Sequence, residues 1–283
     1  MKEKTLILVI TSLIIAYFLI TAFNKPKTYS NAFFSDKINT KKINQIHIKN
    51  KDNEIFLEKT KDLWFLKTPY DYRADNREIE NILDKLSNSK LFGPLTDKKE
   101  IYDRFEIYPD SATIITLKGD KEISFITGKA TMDYQGTFIK FTNSKEIFEA
   151  RGIFPFDFKK KYEDFIYSKI MESDEKETNQ ILINYSGKEY SDSKSQEKWV
   201  KPQTQSIIDL LKEIRFSKIE KGEKDSPKTN LEIILKSPNG EEKILFKNGK
   251  NYLAYKNGYK FTIDEPNSKK IEELINKIKS GSK

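Results

Sequence analysis

The sequence lacks cysteine altogether and has a single histidine, His47, in 283 residues. Disulfides, thiolate nucleophiles and cysteine-ligated zinc or iron–sulfur sites are therefore excluded. Cysteine–histidine catalysis lacks its nucleophile, and serine–histidine catalysis has His47 as its only possible base. The glycines Gly119, Gly128 and Gly136 are dispersed and match neither glycine-rich nucleotide-binding fingerprint. We therefore predict no catalytic residue, no metal ligand, no cofactor and no nucleotide site.

Arginine is scarce, which bears on nucleic-acid binding. The chain has 51 basic and 43 acidic residues and a formal net charge of +8, yet its only arginines are Arg73, Arg77, Arg104, Arg151 and Arg215. Nucleic-acid readers usually hold phosphates and guanine with arginine forks. A lysine excess spread among acidic residues predicts a solvated surface and no nucleic-acid partner, and it leaves open a weak attraction to an anionic membrane or wall polymer.

One long hydrophobic run is present near the N-terminus. Residues 5–23 carry no charge, and a helix of that length, at about 1.5 Å per residue, crosses roughly 30 Å of hydrocarbon. A signal peptide usually has a shorter apolar region followed by small residues, whereas Asn24-Lys25-Pro26-Lys27 follows here. We predict a cytoplasmic tail at 1–4, an uncleaved transmembrane anchor at 5–23 and a large C-terminal part on the periplasmic side of the cell membrane. A signal sequence that is removed is the alternative.

The chain contains the same module twice. Residues 44–64 align with residues 179–199 without a gap, which places Trp64 on Trp199, the only other tryptophan. A helical stripe also recurs: Ile79, Ile82, Leu83 and Leu86 correspond to Ile207, Leu210, Leu211 and Ile214. Matching blocks whose offset shrinks along the chain indicate a duplication followed by loop shortening. Residues kept in both copies are fold determinants, and almost none of them is a plausible catalyst.

The patterning predicts an α+β fold. It has a single N-terminal transmembrane helix followed by two tandem repeated modules, each a mostly antiparallel sheet packed by one main helix. In module one the helix begins near Asp75, whose carboxylate caps the first turn while Glu78 reaches back. The predicted segments are a stalk at 24–40, module one at 41–152, a connecting helix and linker at 153–178, with the helix within 156–170, and a degenerate module two at 179–279.

Two loops of module one are candidate specialised surfaces. One is the approach to the helix, residues 69–75, which module two lacks. The other is the loop at 130–136. If one copy of the repeat has a function of its own, these loops are where we expect it.

Other candidate chemistry has a plainer explanation. His47 aligns with Leu182, which favours a strand residue over a catalytic one. Among 43 acidic residues some pair always suits glycoside cleavage. The candidates are Asp71, Asp75, Asp103, Glu106, Asp110 and Asp133. Both tryptophans are expected to pack between sheet and helix, with a sugar-stacking platform as the alternative.

Several spaced landmarks carry a family resemblance. They are Ile46 and Ile48, Trp64, Pro69-Tyr70, Ala74-Asp75, the helix stripe through Leu86, and Thr127-Gly128-Lys129. With them, residues 43–148 resemble the domain-of-unknown-function family 4340. The resemblance implies a protein anchored once in the membrane, in an auxiliary extracytoplasmic role beside an ABC transporter of the gliding-motility type. The family has no defined active site, so no residue inherits a role.

The sequence therefore predicts a membrane-anchored, non-enzymatic interaction protein outside the cytoplasm. Its expected partner is a membrane protein such as an ABC transporter subunit. A glycan or cell-wall binding module is the alternative function, and a carboxylate-based hydrolase is a third hypothesis.

Overall fold

Alternating apolar and polar residues form strands in both parts of the chain, because successive side chains of a strand point to opposite faces. The computed structural model describes residue 11 and residues 13–15, 30–108, 112–222, 229–249 and 252–281. The chain divides into unit 1, Met1–Ile166, and unit 2, Tyr167–Lys283. The fold class is α+β with mostly antiparallel sheets, as the sequence predicted.

The described residues of unit 1 form one ten-stranded antiparallel sheet. Its strands are β1 (Ser30–Phe33), β2 (Gln45–Lys49), β3 (Glu54–Thr60), β4 (Leu63–Thr68), β5 (Tyr72–Arg73), β6 (Lys90–Thr96), β7 (Thr113–Lys118), β8 (Glu122–Ala130), β9 (Gly136–Phe141) and β10 (Ile147–Arg151). Their order across the sheet is β1-β6-β10-β9-β8-β7-β2-β3-β4-β5. Two meanders, β2 to β5 and β7 to β10, therefore lie side by side, and β6 and β1 complete one edge.

Helix α1 (Asn76–Asn88) lies on one face of this sheet, beside β4. Its stripe is buried as the spacing predicted: Ile79, Ile82, Leu83 and Leu86. Burial of each such side chain contributes about 1.5–3 kcal/mol. Because an isolated helix of this length is marginal in water, this contact with the sheet stabilises α1 more than its own helix propensity does.

The start of α1 is capped in part as predicted. The Asp75 carboxylate accepts a hydrogen bond from the Arg77 amide at 3.1 Å. The expected return contact from Glu78 is absent among the hydrogen bonds described for this turn, because Glu78 pairs with Lys160 instead. The Asp75 amide donates to the Phe165 carbonyl oxygen at 2.7 Å. A distant segment therefore takes the place of the second half of the capping box.

The opposite face of the sheet has a smaller core. A 3-10 segment, Lys99–Phe105, covers it. Tyr102 from this segment packs in a cluster with Ile107, Ile126 and Ile147, and its hydroxyl donates to the carbonyl oxygen of residue 145. Unit 1 thus has a main core under α1 and a satellite core under this segment.

The prediction of a single connecting helix within 153–178 is wrong. The chain forms the short helix α2 (Pro155–Phe158) and a separate 3-10 turn, Tyr162–Phe165. Ile166 is extended, because it forms a β-bridge with Ala74. This tertiary pairing overrides the helical spacing of the apolar residues in the segment.

The stalk predicted at 24–40 also needs correction. Residues 24–29 lie outside the described residues, but from Ser30 onward the chain is part of the sheet, where β1 pairs with β6. Phe34 is 0% exposed, and its ring lies 5.2 Å from that of Phe125. The pair Phe33-Phe34 shows no strand periodicity, and its partner strand is far along the chain, so local patterning does not reveal this pairing.

Unit 2 contains a second antiparallel sheet. Its described strands are β11 (Gln180–Tyr185), β12 (Lys188–Ser195), β13 (Lys198–Trp199), β14 (Lys218–Lys221), β15 (Leu231–Ser237), β16 (Gly240–Lys247), β17 (Leu253–Lys256) and β18 (Tyr259–Thr262). Their order is β13-β12-β11-β15-β16-β17-β18-β14. Two helices accompany them, α3 (Pro202–Glu213) and α4 (Glu265–Gly281), and they pack on each other.

The two sheets have the same strand order. In unit 1, β4-β3-β2-β7-β8-β9-β10-β6 corresponds strand by strand to the order of unit 2. Along the chain, the main helix of each unit comes after the third of these strands, which is β4 in unit 1 and β13 in unit 2. In unit 1 the two-residue strand β5 lies between β4 and the helix. Unit 1 adds β1 beside β6 and β5 beside β4.

Little of the predicted anchor, residues 5–23, falls within the described residues. These are residue 11 and residues 13–15, which are helical, and the rest of the segment lies outside them. In the part of the chain that the structure describes, no helix has the length and apolar character needed to span a bilayer.

A buried ion cluster holds the first residues of unit 2 on its sheet. The Nζ of Lys256 on β17, whose side chain is buried, lies 2.6 Å from a Glu172 oxygen and 2.5 Å from a Glu242 oxygen. Glu242 also accepts the amide hydrogens of Glu172 at 2.9 Å and Ser173 at 2.7 Å. Burial raises the pKa of Glu242, but Lys256 and these hydrogen bonds outweigh it and hold the pKa below its usual value.

Replacement of Phe34 with alanine is expected to lower the unfolding free energy by about 3–5 kcal/mol, because it empties a buried aromatic site. The matched control is Phe33→Ala, whose side chain is half exposed and should cost under about 1 kcal/mol. Urea titration of the purified protein measures both. Equally small losses would contradict the burial of Phe34 in the core of unit 1.

Replacement of Lys256 with methionine is expected to cost about 3–5 kcal/mol, because two carboxylates lose a buried cation. Since the folded pKa of Glu242 is lowered, its contribution is present above the unfolded pKa and is lost as the pH falls through the folded value. In the Lys256→Met variant, this loss of stability at acidic pH should disappear. Hydrogen exchange of unit 2 amides from neutral to acidic pH tests this, with exposed Lys247→Met as the control. Identical pH profiles for the two variants would contradict the assignment.

Candidate functional site

The approach loop, residues 69–75, is part of the packed fold. Tyr72 and Ala74 are buried, and Ala74 forms the bridge with Ile166. The Tyr70 ring lies 5.2 Å from that of Tyr162, edge to face. Burial, with hydrogen bonds to Glu163 and Tyr70, raises the pKa of Tyr162. This loop therefore serves the structure of unit 1.

The second candidate loop, 130–136, is a tight turn held by Thr131. The Thr131 hydroxyl donates to Asp133 Oδ1 at 2.6 Å and accepts from the amides of Gln135 and Gly136 at 3.2 and 3.1 Å. Gly136 has no room for a side chain, since a Cβ there would lie 2.2 Å from the Ala150 carbonyl oxygen. The backbone of the turn is thus fixed against β10.

Two large side chains of this turn project into solvent. Met132 is 93% exposed and Tyr134 is 79% exposed. Tyr134 has a φ of 55°, in the left-handed region that costs an L-residue roughly 1–2 kcal/mol. Six other non-glycine residues among those described also have positive φ, so this conformation alone does not mark a site. The turn presents two large exposed side chains on a rigid frame.

A row of residues continues from the turn across the edge of the sheet. Gly136 on β9 pairs with Arg151 on β10, Arg151 pairs with Lys90 on β6, and Lys90 pairs with Phe33 on β1. Residues opposite one another on antiparallel strands share a face. The Arg151 guanidinium lies 4.9 Å from the centroid of the Phe92 ring, and Lys90 Nζ lies 5.8 Å from that of Phe33. Both distances suit cation–π contacts.

Arg151 connects the turn with this row electrostatically. Its Nη2 lies 3.3 Å from Asp133 Oδ2, and its Nε pairs with Glu149. Hydrogen bonds from the Thr131 hydroxyl and the Gln135 amide, with a smaller effect of Arg151, lower the pKa of Asp133. The hydrogen bond to Glu149 raises the pKa of Arg151. Because Asp133 and Glu149 both pair with Arg151, Lys90 is the cation of the row whose charge these two carboxylates do not contact, and the four charges together sum to zero.

We call this region the sheet-end surface. It comprises Phe33, Lys90, Phe92, Met132, Tyr134 and Arg151. Sequence reasoning singled out the turn but missed the other members, because their proximity depends on the pairing of β1 and β10 with β6. One signal for β6 was present, since Ser89-Lys90 recurs in the second module as Ser217-Lys218.

The carboxylates considered for glycoside cleavage have separate roles. Asp71 lies 2.7 Å from Lys67 Nζ, Asp75 caps α1, and Asp133 belongs to the turn. Asp103 and Glu106 lie at the end of the 3-10 segment, and Asp110 lies outside the described residues. Over the described ranges, no group of three or more histidine, aspartate or glutamate residues is arranged to hold a metal ion.

The aromatic and histidine candidates lie on strands. Trp64 is 1% exposed, so neither face of its ring is available to a sugar. Trp199 is half-buried, and Lys194 Nζ lies 5.3 Å from its ring centroid. His47 Nε2 lies 2.9 Å from a Glu54 oxygen across neighbouring strands. None of these contacts favours the glycan-binding alternative.

The comparison with protein families decides the affiliation. The model described as "Domain of unknown function (DUF4340)" matches residues 64–233, more than half of the chain. The chain belongs to this family. The match begins at Trp64 in β4 and ends at Ile233 in β15, so it covers parts of both units of this DUF4340 protein. The family resemblance predicted from residues 43–148 is therefore confirmed.

Other comparisons are less informative for the DUF4340 protein. No curated protein matches the chain. Among solved structures, "K. pneumonia MrkH in its apo state" is similar at 12% sequence identity, over 87% of this chain and 91% of that chain. Its TM-score of 0.14 is too low to support an argument about fold or function.

Replacement of Tyr134 with asparagine is expected to leave the unfolding free energy unchanged or to raise it by up to about 1 kcal/mol, since asparagine adopts positive φ more readily. Met132→Asn is the matched control in the same turn, where φ is not positive and no gain is expected. Thermal or urea unfolding measures both. A clear loss of stability confined to Tyr134→Asn would show that this side chain serves the fold.

Proposed function

We propose that this DUF4340 protein is a membrane-anchored, non-enzymatic extracytoplasmic interaction protein, working as an auxiliary component of an ABC-type transporter or envelope assembly. The sheet-end surface is the observation that carries the contact-making part of the proposal, and the family resemblance carries the transporter partner. It exposes Met132, Tyr134 and Phe33 beside Lys90 and Arg151. Aromatic residues, methionine and arginine are enriched at contact surfaces, and a few rigid anchors supply most of the binding energy there.

The anchor rests on the uncharged run at 5–23. Its described members support it, since Leu13, Ile14 and Ile15 are helical and exposed. Apolar side chains that the protein leaves exposed are stable in contact with lipid. In the proposed topology residues 1–4 are cytoplasmic, and both units lie on the periplasmic side of the cell membrane.

The two units are proposed to be products of a duplication, as the aligned residues suggest. The shared order of eight strands supports this origin, and so does the position of Trp64 and Trp199 on corresponding strands. In this view the shared scaffold supplies stability. Residues specific to unit 1, such as those of β1 and the Thr131 turn, supply the contact surface.

A transporter subunit is the proposed partner because the family resemblance implies one. Chemical crosslinking in intact membranes, followed by purification of the full-length protein and mass spectrometry, is expected to recover ABC-transporter subunits. It also tests the anchor, because the full-length protein should stay with the membrane after high-salt and alkaline washes. A variant that lacks residues 1–23 should be released and should recover the partner poorly.

Two results would contradict the proposed function. Release of the full-length protein by the washes would contradict the proposed anchor. Repeated recovery of no membrane protein by a well-anchored full-length chain would contradict the proposed transporter partnership. The Lys118→Glu variant, changed at an exposed residue at the far end of β7 and outside the sheet-end surface, serves as the folded control for recovery of the partner.

A further inference from the structure

The apolar groups of the sheet-end surface project outward. Met132 and Tyr134 stand on the tip of the Thr131 turn. Depressions of about 200 and 330 Å³ occur on unit 1, but they are lined by other residues, among them Trp64 and Phe141. A protein partner needs roughly 800 Å² of closely fitting surface on each side. Single projecting side chains on a rigid turn are better suited to a deformable layer than to a complementary pocket.

The residue types also fit a membrane interface. Tyrosine prefers the boundary between lipid headgroups and acyl chains, and phenylalanine occurs on the lipid-facing side of interfacial segments. Lys90 lies beside the Phe33 ring, so its charge can reach a lipid phosphate while the aromatic groups enter the boundary. The net charge of +8 favours an anionic surface over a neutral one.

The length of the chain places this surface within reach of the bilayer. Only residues 24–29 separate the predicted span from Ser30, which limits the distance between Phe23 and Ser30 to about 25 Å. Ser30 opens β1, and Phe33 lies roughly 10 Å further along the same strand. A short tether keeps the local lipid concentration high, so a weak contact is sufficient for docking.

We propose that the sheet-end surface docks on the anionic headgroup layer of the membrane that anchors the chain, with Met132, Tyr134 and Phe33 in the interface and Lys90 on lipid phosphates. This assignment rests on the proposed anchor. It specifies the contact made by the surface and orients unit 1 relative to the bilayer. The faces of the protein away from the lipid are then free to meet a membrane-protein partner.

The absence of cysteine makes a direct test practical, since a single cysteine can be introduced at a chosen position. Full-length Met132→Cys and Asn143→Cys proteins are labelled with the fluorophore NBD and reconstituted in phosphatidylcholine vesicles that contain phosphatidylglycerol and a spin-labelled lipid quencher. Asn143 is the control, because it is exposed beyond the opposite end of β9. The label at 132 is expected to shift to the blue and to be quenched several-fold more than the label at 143.

Charge reversal provides the second arm. Lys90→Glu should reduce the quenching at position 132, and so should vesicles without phosphatidylglycerol. Lys118→Glu is the matched control, because Lys118 is exposed at the far end of β7. It should leave the quenching unchanged.

The possible failures are distinguishable. Equal quenching at 132 and 143 in protein that floats with the vesicles overturns the docking and leaves the anchor intact. Protein that does not float with the vesicles overturns the anchor, and the docking with it. A blue shift that needs added envelope proteins and occurs without lipid quenching identifies a protein occupant and overturns the lipid assignment.

Discussion

The burial of one helix stripe against one face of an antiparallel sheet is the constraint on which both units depend. Helices α1 and α3 have 13 and 12 residues, which is marginal for an isolated helix, and a sheet with an uncovered apolar face is unstable in water. Each element therefore stabilises the other. Ile207 and Leu211 on α3 occupy the repeat positions of Ile79 and Leu83 on α1, and all four are buried. This explains why these four aligned helix residues are apolar in both units.

The two units cap this helix by different means. In unit 1 the acceptor is local, Asp75 at the end of the approach loop. Unit 2 lacks that loop, and Lys201 at its cap position offers no acceptor. Buried Asp192 on β12 accepts the Lys201 amide at 2.9 Å and the Thr204 hydroxyl at 2.5 Å instead. Asp192 thus holds the start of α3 through the amide of the cap residue and a side chain of the first turn, whereas Asp75 accepts a first-turn amide of α1. In unit 1 the approach loop also carries β5 and the bridge to Ile166.

The features that a short stretch of sequence determines were predicted, and the features that depend on pairing with a distant segment were not. Alternation predicted strands in both units, and helical spacing predicted the buried face of α1, because each pattern is complete within a few residues. For α3 the predicted stripe is correct in part, since Leu210 is only half-buried and Ile208 is buried in addition. Strands β1 and β6 were missed because pairing defines them, and Gly93-Pro94 within β6 is typical of a turn when considered alone. The connecting helix was wrong for the same reason, since the partner of Ile166 is distant. Of the candidate site only the turn could be predicted, and the anchor at 5–23 stays a prediction.

The added strand β1 explains how a contact surface arises on a repeated scaffold. Unit 2 has the same eight-strand order without a counterpart of β1 among its described strands, so this order does not depend on that strand. In unit 1, β1 extends the sheet beyond β6 and places Phe33 beside Lys90, in line with Arg151 and the turn. It is also the first strand after the predicted anchor. One short strand therefore completes the sheet-end surface and, if the anchor is present, holds that surface close to the membrane.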